Sequence, residues 1–301
     1  MSAGMFESVL SFLDAAGCRH IVLTGGEPTL HPLLPAFIKK ARACRMERIA
    51  VISNGSGYTN EFLDEVEECR TFLSLNVSLH GATAATHDAI TGRGGSYDLL
   101  LSGIKRAVAR GFDICVQMTL CRANRGEIPE ILALLDNLQI GDLLINYCRK
   151  PINAIFQEGD FLSVEAFSEE VANGIGSYDG NIAVQVGPLL PLCKLIPAFK
   201  TLMNAGRIRL KVGCGMMENQ LIVDMNGHFL LCPHLPEVTI GKVDLAADVC
   251  VVLGKIDRNT KQQFRRYPRQ VCNDCNERKD CVMGGCPLLR LQSGADNPSA
   301  K

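Results

Sequence analysis

An α/β fold built on a parallel sheet, followed by a small cysteine-rich region, is what this sequence predicts. Three observations carry that prediction. Short β-rich runs alternate with amphipathic helical patterns through the first half, and the first three runs end in small polar residues. Near the other end, four cysteines crowd into CNDCNERKDCVMGGC, between Cys272 and Cys286.

The elements follow in order. In MSAGMFESVLSFLDAAG, Met5, Val9, Phe12 and Leu13 fall on one helical face. Glu7 and Asp14 interrupt the apolar residues, with no basic start and no clear cleavage site, so the segment does not read as a secretory signal. HIVLT (20–24), RIAVIS (48–53), FLSLNVSL (72–79), DICVQMTL (113–120) and DLLINY (142–147) read as buried strands. Between them PAFIKKARAC, NEFLDEVEECR and SYDLLLSGIKRAVARG read as helices; in the last, Leu100, Ile104 and Val108 share a face and Gly111 stands where a C-cap belongs. Strands joined by helical crossovers run parallel, because a hairpin cannot join parallel neighbours. The first half is therefore a parallel β/α array, either a doubly wound sheet or part of a barrel.

Composition narrows the function. The chain has 301 residues, 47% of them hydrophobic, and a net charge of −1. That balance gives no electrostatic case for nucleic acid or an anionic membrane. Trp is absent and aromatics are 6%, so no stacking platform for bases is expected either. No stretch offers the ~20 apolar residues of a membrane span. A cytoplasmic location is expected, where thiols stay reduced, and the 14 cysteines then point to metal rather than disulfides.

In parallel β/α folds ligands sit at the carboxyl ends of the strands. There this chain places TGGEPTL, with Gly25, Gly26, Glu27 and Pro28; SNG, with Ser53, Asn54 and Gly55; and SLHG, with Ser78 and His80. Two glycines allow close backbone approach to a ligand, Glu27 offers a carboxylate, and Pro28 fixes the turn. Loops of this kind need Gly, Asn and Ser simply to turn, but a turn does not need the glutamate.

LTGGEPTLHPLL, VISNGS and VSLHGATAATHDAITGRGGSYDLLLSGIKRAVARG resemble the radical S-adenosylmethionine (radical SAM) enzymes. The resemblance implies a partial (βα)6 barrel in which Gly25, Gly26, Glu27 and Pro28 hold the methionine amine of S-adenosylmethionine. Asn54 belongs to the same binding surface, Ser78 lies near the ribose and carboxylate, and Arg93 is available to the carboxylate. The tail resembles the SPASM extension of that family, with Cys214, then Gly227 and Cys232, then Cys272, Cys275, Cys281 and Cys286 as ligands of auxiliary [4Fe–4S] clusters. The implied organisation is a barrel over 1–150, a connection over 151–184 and a SPASM domain over 185–301. The implied chemistry is oxidation or modification of a peptide or protein by a 5′-deoxyadenosyl radical, with an electron donor such as a flavodoxin or ferredoxin.

Chemistry alone leaves two metals open for the tail. Thiolates suit iron–sulfur clusters and zinc alike, and CxxC pairs occur in both. Six cysteines in the pattern exceed the four that a zinc ribbon needs. LIVDMNGHFLLCP reads as a hairpin turning at Asn226-Gly227 and presenting Cys232 on the returning strand. Cys193 is a further candidate ligand, and His228 and His234 flank Cys232. Cys18, Cys44, Cys69, Cys115, Cys121, Cys148 and Cys250 read as packing.

Two departures from the family matter. Its catalytic [4Fe–4S] cluster is held by CxxxCxxC upstream of GGEP, and no cysteine triplet of that spacing occurs here. The expectation is a barrel lacking its first strand, with a catalytic cluster only if an upstream motif exists. The tail also separates Cys281 from Cys286 by one residue more than usual, with no cysteine after it. A non-catalytic iron–sulfur or zinc-binding remnant or partner subunit is the alternative reading.

Overall fold

The computed structural model describes residues 1–148, 160–187, 190–211, 220–233 and 235–265. Its first part is a half-barrel of seven parallel strands in sequential order: β1 (His20–Leu23), β2 (Arg48–Ser53), β3 (Leu73–Ser78), β4 (Asp113–Leu120), β5 (Asp142–Tyr147), β6 (Ala183–Gly187) and β7 (Arg209–Leu210). The helices are α1 (Ala3–Ala15), α2 (Leu34–Ala43), α3 (Asn60–Val66), α4 (Ala84–Thr91), α5 (Ser96–Ala109), α6 (Ile128–Asn137), α7 (Val164–Gly176) and α8 (Pro197–Asn204).

The five strands expected from sequence form within a residue or two of their expected ends. The α3 segment is shorter than its pattern, ending at Val66 and passing into a 3-10 turn over Glu67–Cys69. The larger difference lies after β5. Residues read as a connection and as the start of the cysteine-rich part supply α7, β6, α8 and β7, and β6 pairs with β5 through Asp142↔Ala183 to Asn146↔Gly187. These strands are short, and β6 carries only Val184 and Val186 as β-branched residues.

Strand residues alternate in environment. Val51, Val77, Val116, Ile145 and Val186 are fully buried against the helices. The side chains between them point to the inner face and are half-buried.

The second part is an antiparallel sheet of β8 (Ile222–Val223), β9 (His228–Cys232) and β10 (Leu235–Lys242), ordered β10-β9-β8, followed by α9 (Val249–Arg265). The β8–β9 hairpin turns at Asn226-Gly227 as expected, with Val223 opposite Phe229. Helix α1 belongs to both cores. Its Phe6 stacks on Phe37 of α2, with ring centroids 4.1 Å apart, while Phe12 meets Phe229 of β9 at 5.2 Å. No helix of the described residues is long and apolar enough to cross a membrane.

Candidate functional site at the carboxyl rim of the half-barrel

The inner face is polar over much of β3 to β6, with Ala50, Ile52 and Leu144 as apolar members of the same face. Asn76, Ser78, Gln117, Thr119, Asn146 and Gln185 alternate with the buried residues and are each half-buried. A closed (βα)8 barrel fills its interior with branched apolar side chains. A polar, half-exposed interior is a cleft wall instead, and its carboxyl rim is where the strand-end loops converge.

Glu27 ties two of those loops together. It opens the 3-10 turn Pro28–Leu30, and one carboxylate oxygen accepts from the Thr29 amide (3.0 Å), the Thr29 hydroxyl (2.6 Å) and the Ser53 hydroxyl (2.7 Å). The other accepts from the Asn54 amide at 2.7 Å. The carboxylate thus staples the end of β1 to the end of β2, and no ion pair involves it among the described residues. Asn54 spends its own side-chain oxygen on the amide (2.9 Å) and hydroxyl (2.6 Å) of Ser56. Behind this staple the Tyr58 hydroxyl is buried with no hydrogen-bond partner among the described residues. Burial raises its phenol well above the ordinary range, with Ser53 opposing and Glu27 adding to the rise.

Gly25 and Gly26 carry the rim toward solvent. No atom lies within 4 Å of where a Cβ would stand on either, so their backbone presents an open surface. Ser78 ends β3 on the inner face, and its hydroxyl has no hydrogen-bond partner among the described residues. Arg93 is exposed in the turn between α4 and α5, making no ion pair among the described residues.

A second staple holds β3 to β4. The buried Asn124 side chain donates to the carbonyls of His80 (2.8 Å) and Thr119 (2.9 Å) and accepts from the Cys121 amide (2.7 Å). The Thr119 amide donates to His80 Nδ1 at 3.2 Å, and the His80 amide donates to His87 Nδ1 at 3.1 Å. Each ring therefore keeps its proton on Nε2. Burial, with the neighbouring His87 adding, lowers His80 to about 4, so it is neutral near pH 7. Glu127 completes the staple by accepting from the Ala82 amide (2.7 Å) and the Thr86 hydroxyl (2.6 Å).

Of the residues expected from sequence, Gly25, Gly26, Glu27, Pro28 and Asn54 meet around one staple, and Ser78 stands two strands from β1. Sequence reasoning named Ser53 within SNG but passed over Thr29, Asn124 and Glu127. The Ala82 and Thr86 partners of Glu127 and the His80 partner of Asn124 lie more than 40 residues away in the chain, so their role across β3 and β4 carries no local signal. Of the expected metal ligands, Cys232 is buried at the end of β9. Cys214, Cys272, Cys275, Cys281 and Cys286 lie outside the described residues. Cys193 is exposed in a 3-10 turn, and His228 pairs with Asp224 at 3.2 Å. Among the described residues no group of three His, Cys, Asp or Glu side chains could hold a metal ion.

Comparison with known proteins agrees with the fold. Residues 3–135 match the model of the Radical SAM superfamily. The chain is 35% identical over 118 residues to the pre-heme d1 synthase of Dinoroseobacter shibae, covering 39% of this chain and 28% of that protein. It is 29% identical over 128 residues to a probable GTP 3',8-cyclase of Metallosphaera sedula, and 28% over 134 residues to the Fe-coproporphyrin III synthase of Methanosarcina barkeri. Those matches span 39% and 33% of the relatives' lengths, so the likeness is confined to part of each. Streptococcus suis SuiB bound to S-adenosylmethionine superposes with a TM-score of 0.73 at 15% identity, covering 97% of this chain and 67% of that one. Native anSMEcpe with bound AdoMet and a Kp18Cys peptide superposes at 0.69 and 14%, covering 96% and 82%. Residues 3–135 thus carry the likeness to the Radical SAM superfamily, on a parallel half-barrel whose fold the solved neighbours share.

Proposed function

We propose that this chain binds S-adenosylmethionine at the carboxyl rim and acts, with iron–sulfur clusters, on a peptide or protein segment. The observation that carries the reading is the polar inner face leading to the open Gly25-Gly26 backbone. The residues there fit an amino-acid head group: backbone carbonyls of the glycine loop for an ammonium, the Ser78 hydroxyl for a ribose or carboxylate oxygen, and the exposed Arg93 guanidinium for the carboxylate. Glu27 supports this surface through Ser53 and Asn54, since its oxygens already accept four hydrogen bonds. When bound and reduced, the cofactor supplies a 5′-deoxyadenosyl radical that removes a hydrogen atom from substrate. The six tail cysteines are proposed to hold auxiliary clusters, and the ligands of a catalytic cluster would come from outside residues 1–301, which contain no CxxxCxxC.

The peptide assignment is supported by solved neighbours that cover nearly all of this chain, one with a Kp18Cys peptide and another, SuiB, bound to the precursor peptide SuiA. A tetrapyrrole substrate is the second reading, favoured by relatives named for heme d1 and coproporphyrin chemistry. The deciding experiment is anaerobic purification with iron, acid-labile sulfide and zinc assayed, then S-adenosylmethionine binding by equilibrium dialysis. Iron with matching sulfide, lost on Cys272→Ala with Cys275→Ala, and weaker cofactor binding in Arg93→Ala are expected. Stoichiometric zinc without sulfide would instead make the tail a zinc ribbon and favour a non-catalytic partner subunit.

A further inference from the structure

We propose that Cys121 and Cys148 are a redox pair on the inner rim of the half-barrel, a dithiol that closes to an intramolecular disulfide by exchange with a small-molecule disulfide of the glutathione class. The proposal is independent of the cofactor assignment above. In sequence the two look like separate packing cysteines; the sheet brings them together. Strands β4 and β5 pair in register up to Leu120↔Tyr147, and the Cys148 amide then donates to the Leu120 carbonyl at 3.3 Å. That bond is half of the parallel ladder that would set Cys121 opposite Cys148. Neighbouring strands lie about 4.8 Å apart, inside the roughly 4.4–6.8 Å Cα separation of disulfides.

Both residues continue the alternation that puts Thr119 and Asn146 on the inner face, so their side chains leave the sheet on the same side. Both are free thiols in this structure. Cys121 is buried, extended (φ −138°, ψ −176°), and its sulfur accepts from the Asn124 amide; Cys148 is half-buried. The Cys148 thiol is pushed up to about 11, first by burial, then by Cys121 and Asp160. Cys121 is the first residue beyond β4, and closing the bond draws the two Cβ atoms about 1 Å inside the strand spacing, against the hydrogen bond that the Cys121 amide gives Asn124.

The step balances. One protein thiolate attacks the small disulfide, forming a mixed disulfide and releasing one small thiol. The second protein thiol attacks the protein sulfur of that mixed disulfide, forming the Cys121–Cys148 bond and releasing the second small thiol. Two electrons pass from the pair to the reagent, and two protons leave with the two released thiols.

The test uses the full chain, reduced and handled anaerobically, then equilibrated across oxidised-to-reduced glutathione ratios, quenched with acid, alkylated and digested with trypsin. Cys121 falls in the 111–122 peptide with Cys115, and Cys148 in the 126–149 peptide. Fragmentation separates Cys121 from Cys115, which lies about 20 Å back along the strand. The expected result is a linked pair of these peptides through Cys121 and Cys148, with alkylation of both lost together as the ratio rises. In Cys121→Ser, Cys148 should accumulate as the glutathione adduct. Alkylation of both cysteines at every ratio, or separate adducts without a link in the unmodified chain, would overturn the proposal, and neither result depends on a variant folding.

Discussion

Glu27 holds its place through four donors from three residues, and this sets what its replacement should do. Glu27→Gln keeps the shape but exchanges two acceptor oxygens for one plus an amide, which would oppose the Asn54 amide or the cluster of Thr29 and Ser53 donors. A charge-assisted bond is worth about 1.5–3 kcal/mol, so Glu27→Gln should lower the urea midpoint measurably even without cofactor. Ser53→Ala should do so less. If Glu27→Gln leaves stability unchanged and alters only cofactor binding, the staple is not holding the rim. His80 gives a second prediction, in pH. Its folded value of about 4 lies below the ordinary histidine value, so the unfolded chain binds the proton more tightly. Stability from this residue is complete above about pH 6.5 and declines as pH falls toward 4, by up to about 3 kcal/mol. A His80→Gln variant should show a flatter fall in denaturation midpoint across that window; a parallel fall would refute the assignment.

At the scale of elements, the join of α5 to the SNG loop is tight. A Cβ on Gly103 would stand 2.2 Å from the Gly55 carbonyl oxygen, backbone that has little room to move. Gly→Ala inside a helix ordinarily stabilises by about 1 kcal/mol. Gly103→Ala should instead destabilise by about 1–3 kcal/mol through overpacking, seen as a lower Tm; a raised Tm would mean that helix and loop separate freely. How much of this was legible follows from the range of each signal. Strands β1 to β5 announce themselves as short β-rich runs set between amphipathic helical patterns. The GGEP and SNG loops follow from glycine and a carboxylate placed just after a strand. The β3–β4 staple was not legible: Asn124 and Glu127 look like ordinary loop residues until the sheet brings His80, Ala82 and Thr86 beside them. Strand β6 was missed because AVQVG, with Ala183 and Gly187 at its ends, carries only two β-branched residues, and β7 because it is two residues long. The pairing of Cys121 with Cys148 needed the register of two strands, which no local pattern carries.

At the scale of the molecule, α1 decides how the two parts hold together. Phe12 is fully buried, and its ring, with Leu13 and Ala16, packs into the core formed by Phe229, Leu231, Ile240, Val252 and Ile256. The opposite side of the same helix carries Phe6 and Leu10 into the half-barrel core. Phe12→Ala should cost about 3–5 kcal/mol. Because α1 is the shared wall, amide exchange should speed in β9 and β10 while β3 and β4 stay protected. Equal acceleration in both sheets would show that the helix serves one core only.

That shared wall also has a consequence in time. A ribosome releases α1 at the start of this segment and the β9 strand ~200 residues later, an interval of about 10–40 s at 5–20 residues per second. The half-barrel can assemble against Phe6 and Leu10 during that interval. The Phe12 side of the helix has no native partner until the antiparallel sheet emerges. For those seconds the nascent chain carries an apolar stripe on an otherwise folded surface, the kind of feature that invites a chaperone or a neighbouring nascent chain.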